Sequence, residues 1–204
     1  MKKYNINQTT LRILGLYRGD YRLSLHLREI ARRAGVDVKA VQMQLIRLEE
    51  EGILRKVERA RTKEYSLNAE DPLSLYYMVL AETFATAELL VRNFAIRKVS
   101  EGMEGVEGVI LLYGVHTEGG GGNEGNPITL LVIAERGPEA DTISELGRRI
   151  SREIMVKVVD RAWFLQGLSM GDPLIEGAAS NHLVMKGIDE FCRVMLQNVI
   201  GQRG

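Results

Sequence analysis

A single cysteine, Cys192, cannot build a disulfide framework within one chain, and four prolines in 204 residues leave no room for long proline-rich linkers. The opening Met1-Lys2-Lys3-Tyr4-Asn5 lacks the apolar stretch of a secretory signal. Glu82, Glu88, Arg92 and Arg97 interrupt the most apolar segment, so no run is expected to reach the ~20 residues that cross a bilayer. These absences lead to the expectation of a cytoplasmic protein without disulfides or a membrane span. Hydrophobic residues at 45% and charged residues at 26% are ordinary for a folded core. The length suits one large domain or two small ones, and two is the expectation.

Net charge is also lacking, since the chain sums to zero. That balance hides an asymmetry. Residues 1–68 hold 15 Lys and Arg against 8 Asp and Glu, a surplus of +7, and the remainder carries the matching −7. A basic third is a candidate for binding a polyanion, provided its charges fall on one surface.

Leu11, Ile13, Leu14 and Leu16 predict a helix over about 8–18, ended by Gly19-Asp20, and residues 21–25 read as a short strand. Leu27, Ile30, Ala31 and Ala34 are spaced three and four apart, with Gly35 as C-cap. Asp37 is placed to cap the next helix, where Val41, Leu45 and Leu48 repeat at helical spacing until Gly52. Residues 53–57 and 64–67 then read as a hairpin with a basic tip, Arg59 to Lys63. The sequence here resembles winged helix-turn-helix regulators of the MarR and ArsR type, through Leu48-Glu49-Glu50-Glu51-Gly52-Ile53-Leu54 at the junction of recognition helix and wing.

The resemblance implies a recognition helix in the major groove of duplex DNA, its outward residues being Val38, Lys39, Gln42, Met43 and Ile46. Gln42 suits an adenine edge, Lys39 a guanine or a phosphate, and the apolar residues, Met43 among them, thymine methyls. Arg32, Arg33, Arg47, Arg59, Arg61 and Lys63 are expected on phosphates, which set register and affinity without reading sequence. The alternative is a winged helix used only for protein contacts, because three of the five groove-facing residues are apolar. His26 is assigned no role.

Asp71-Pro72 opens a further helix. Leu73, Tyr77, Leu80, Phe84, Ala87, Val91 and Phe94 alternate spacings of four and three, the pattern of a coiled-coil seam. One reading is a homodimerisation helix that spaces two recognition helices one turn of DNA apart; the other is a helix packed on its own carboxy-terminal domain.

Beyond it, strands at 109–113, 128–133, 155–159 and 182–185 alternate with helices near 141–150, from 161 and from 188, an α/β layer with an antiparallel first pair. This order resembles the minimal nucleotidyltransferase domain over about residues 104–190. That family places Gly-Ser after the first strand and Asp-x-Asp on the second; here those positions are Gly114-Val115 and Pro127 with Thr129. The third strand offers Met155, Val156, Lys157 and Val158 where the family has another carboxylate. Nucleotidyl transfer needs carboxylates to hold its metal ions, so the resemblance implies a domain that has lost catalysis, with no cofactor and no metal. An active transferase that adenylylates a protein is the alternative.

The loop with Gly114, Val115, Gly119 and Gly120 reads either as a ligand cradle or as a plain hairpin loop, since Glu118 and Glu124 oppose an anion. His116 with Glu118 lacks a full ligand set. The expectation is therefore an α+β chain in three segments. These are a DNA-binding winged helix over 1–70, a connecting helix over 71–100, and a degenerate nucleotidyltransferase-like domain with a mixed sheet over 101–204. Three jobs stay open for that last segment: sensing a small-molecule effector, supporting dimerisation, or contacting another protein.

Overall fold

A computed structural model describes residues 6–59, 62–114 and 126–201, and only the backbone of Arg59. Among these residues there are nine helices and two sheets, one of them mixed, an α+β architecture. They group into two compact units, one running to Phe84 and resuming at Cys192, the other Ala85–Phe191. Both divisions fall inside helices.

In the first unit, Asn7 caps α1 (Gln8–Gly15) by accepting from the Thr10 N–H, and Ile13 and Leu14 are buried. The helix is shorter than its apolar pattern predicts. Strand β1 (Ser24–His26) begins later than expected because Tyr21 is a core residue, its hydroxyl bonded to the buried Cys192 Sγ at 3.4 Å. Burial pushes the Tyr21 phenol well above its ordinary range.

Helix α2 (Leu27–Ala34) ends at Gly35 in the left-handed region, and α3 (Val38–Glu50) starts where the Asp37 carboxylate accepts from the Lys39 and Ala40 N–H groups. Ile30, Ala31, Val41, Leu45 and Leu48 close the core between them. Strands β2 (Leu54–Arg59) and β3 (Thr62–Leu67) form the hairpin, and β1 adds antiparallel to β3, giving the order β1-β3-β2. Both strands are longer than the sequence pattern indicates.

Helix α4 (Pro72–Arg92) begins where Asp71 accepts from the Leu73 N–H. By length and composition it could cross a bilayer, with a mean hydropathy of 1.2 over 18 residues, which corrects the expectation that no stretch reaches this. Its inner face is nevertheless buried in protein: Ser74, Tyr77, Met78, Ala81 and Glu82. The fully buried Glu82 carboxylate meets the Arg18 guanidinium at 2.7 Å.

The helix expected across 71–100 is in fact two. Asn93 leaves helical geometry at φ −126° and ψ 100°, and its side chain accepts from the Ile96 N–H to cap α5 (Phe94–Gly102).

The second unit is built on β4 (Val109–Tyr113), β5 (Ile128–Ile133), β6 (Ile154–Val159) and β7 (His182–Lys186). Between the strands lie α6 (Ala140–Ile150), α7 (Arg161–Met170) and α8 (Pro173–Ser180), and α9 (Ile188–Gly201) follows. Strand order is β6-β5-β4-β7, with β4 antiparallel to both neighbours and β5 parallel to β6. Alternate residues Ile110, Leu112, Leu130 and Val132 pack with Ile96, Val99 and Leu146 on one face.

Gly108, at φ +87°, turns the chain into β4 where a Cβ would lie 2.3 Å from the Ile133 carbonyl oxygen. Only glycine fits there. Helix α8 was not separable in the sequence from its predecessor; Gly171 ends α7 in the left-handed region and Asp172 caps the new helix.

Candidate nucleic-acid interface

The turn Gly35-Val36-Asp37 joins α2 to α3, and burial of Val41, Leu45 and Leu48 fixes which side of α3 faces out. That side carries Val38, Lys39, Gln42, Met43 and Ile46, all exposed, Met43 at 64%. These are the five residues expected from helical spacing. Lys39 makes no ion pair among the described residues.

Arg32 and Arg33 are exposed but engaged with one carboxylate. Arg32 donates to both Glu29 oxygens at 3.0 and 2.7 Å, and Arg33 to one at 2.5 Å. Hydrogen bonds from Arg32, then Arg33, pull the Glu29 carboxyl down to about 2. A depressed carboxylate keeps its clamp above its ordinary range and loses it only as pH falls toward that value, so at neutral pH the clamp is closed. A phosphate reaching these arginines must compete with Glu29. Glu29→Gln is expected to raise affinity for duplexes of any sequence several-fold, and to steepen the salt dependence by about 1–2 in logarithmic slope. A fluorescence-anisotropy titration over a salt series measures both, and an unchanged slope would show that these arginines do not reach phosphate.

Arg47 departs from expectation. Its side chain is only 21% exposed, donates to Thr10 Oγ1 at 3.0 Å and lies 3.5 Å from Glu51, whose other oxygen accepts from the Tyr77 hydroxyl at 2.6 Å. It braces α3 from within, turned away from the outward face that carries Lys39 and Gln42. Gln44 joins the same network by accepting from Thr10 Oγ1.

Lys63 is exposed on β3, 3.9 Å from Glu58 across the hairpin. The Arg59 side chain and Arg61 lie outside the described residues. Arg28, one helical turn before Arg32, is exposed without an ion pair among the described residues. The four-residue spacing from Arg32 is the sequence signal that places it on that shoulder.

The seam expected over 73–94 is altered. Leu73, Leu80 and Val91 are exposed, Val91 at 85%, but Tyr77 and half-buried Phe84 turn inward. Ala87 is exposed as expected, and Tyr76 and Thr83 take the outward places of Tyr77 and Phe84. Phe94 belongs to α5, where Lys98 Nζ sits 5.5 Å from its ring centroid.

In the second unit, Gly114 ends β4 at φ +71°, and Thr129 donates its hydroxyl to the Tyr113 carbonyl at 2.8 Å. Val115, Gly119 and Gly120, with His116 and Glu118, lie outside the described residues. Among the described residues no three His, Cys, Asp or Glu side chains converge as metal ligands. His182 is buried against the Phe191 ring and holds the Ala179 carbonyl at 2.7 Å. At the end of the sheet opposite Gly114, an open cleft of about 840 Å³ is lined by Gly108, Ile133, Arg136, Glu139, Arg161 and Glu190, among others.

No family model and no curated protein matches the chain. Among solved structures it is similar to TrmBL2, an archaeal chromatin protein whose structure is described as showing a novel mode of DNA binding. The identity is 15%, covering 87% of this chain and 72% of that one, with a TM-score of 0.29. A superposition of that quality does not establish a shared fold.

Proposed function

We propose that the chain is a DNA-binding transcription regulator acting as a homodimer, with a winged helix-turn-helix that reads duplex DNA. The observation that carries this reading is the outward face of α3. An exposed Lys39 and Gln42 stand among Val38, Met43 and Ile46, flanked by the α2 arginines and followed by the β2–β3 hairpin with its exposed Lys63. Gln42 would pair with an adenine edge and the apolar residues would meet thymine methyls. Arg28, Arg32, Arg33 and Lys63 would hold phosphate.

The outward stripe of α4 is the surface on which two copies would pair. The second unit is read as a nucleotidyltransferase-like domain without transfer activity. Thr129, where the family has a carboxylate, spends its hydroxyl on Tyr113, and Met155 to Val158 on β6 offer no acid. Its role would be sensing or interaction, and the cleft beside Arg136 and Arg161 is where a small-molecule effector would fit.

Selection of bound sites from random duplexes at fixed salt tests the reading. The expected product is a two-fold symmetric motif with half-sites about 10 bp apart. Enrichment of no motif would favour the second reading, a protein-interaction adaptor, to which the apolar majority of the α3 face is also suited.

A further inference from the structure

Strand β6 is an edge of the four-stranded sheet, and it carries few of the devices that keep sheet edges apart. It is six residues long with no proline, pairs with β5 without a register break, and bears one charge, Lys157. Met155 is 50% exposed on one face of the strand and Val158 is exposed on the other. We propose that this edge pairs antiparallel with the same edge of a second copy of the chain, about a two-fold axis through Met155. Two four-stranded sheets would then become one. The inference does not rest on DNA binding or on the α4 stripe.

The backbone limits the register. Glu153 and Val159 offer their carbonyls to Ile128 and Ala134, so odd-numbered residues of this strand point their hydrogen-bonding groups at β5. The groups of Ile154, Val156 and Val158 point outward. An antiparallel partner must therefore set even-numbered residues opposite even-numbered residues. Among such two-fold registers, the one centred on Met155 places Glu153 opposite the partner's Lys157, and Lys157 opposite the partner's Glu153.

Moving the axis to Val156 puts Lys157 opposite Met155, and moving it to Lys157 sets two lysines face to face. Opposite charges directly across an antiparallel pair stabilise it, and like charges oppose it. In the favoured register Ile154 and the partner's Val156 exchange backbone hydrogen bonds. The two Met155 residues form the closer, non-hydrogen-bonded pair, with Cα atoms about 4.5 Å apart.

That distance is within reach of a disulfide. Under mild oxidation, full-length protein carrying Met155→Cys is expected to become mostly a covalent pair on a non-reducing gel. Val158→Cys, also at an exposed position but opposite the partner's Arg152, stays single. Native Cys192 is buried and contributes little background. Adding Lys157→Glu to Met155→Cys should lower the yield several-fold, and further adding Glu153→Lys should restore it. Equal cross-linking at 155 and 158, no cross-link at 155, or a yield indifferent to the charge changes would overturn the proposal.

Discussion

Glu82→Ala is expected to lower the unfolding free energy by about 3–5 kcal/mol, the usual effect of deleting one partner of a buried ion pair. The Glu82 side chain is fully buried and that of Arg18 is 14% exposed, so solvent screens their 2.7 Å contact little. Deleting the carboxylate leaves a guanidinium charge to be solvated inside the first unit. Replacing both residues with leucine and methionine of similar volume should recover most of the loss, because no charge then remains to be desolvated. Urea unfolding midpoints of the two variants decide the matter. A loss below about 1 kcal/mol for Glu82→Ala would show that Arg18 swings to solvent at little cost.

The second large effect concerns the hairpin. Arg59 pairs with Thr62 on the last rung of β2 and β3. Arg59→Glu together with Arg61→Glu should weaken binding to all duplexes by about tenfold or more at low salt, and should flatten the salt dependence by about 2 in logarithmic slope. The loss should be the same for selected and random duplexes, since phosphate contacts carry no sequence information. A loss confined to one sequence would mean that the tip reads bases, and an unchanged slope would mean that it does not touch the nucleic acid.

Much of the first unit could be read in advance because its boundaries are local. Gly35, Asp37 and the apolar spacing of Val41, Leu45 and Leu48 act within a few residues, and together they oriented α3 correctly. What escaped depended on distant partners or on one residue overruling a pattern. Arg47 faces inward because Thr10, 37 positions earlier, meets it there. Tyr77 turns from the expected seam because its hydroxyl finds Glu51. The seam's apolar spacing runs on through Phe94, and nothing in that spacing reveals that Asn93 will cap a new helix. In the second unit, the antiparallel β4–β5 pair was legible from the short stretch that separates its two apolar runs in the sequence. The assignment of its fold to a catalytic ancestor rests on resemblance alone.

The polar brace behind α3 has a consequence for how such a surface can change over time. Thr10, Gln44, Arg47, Glu51 and Tyr77 set the rotation of the helix about its own axis by directional bonds, on the side away from the exposed face. Val38, Lys39, Gln42, Met43 and Ile46 bear little of that work. Those five positions can be rewritten one at a time while the helix keeps its setting, so a new target preference can arise without a matching repair in the core.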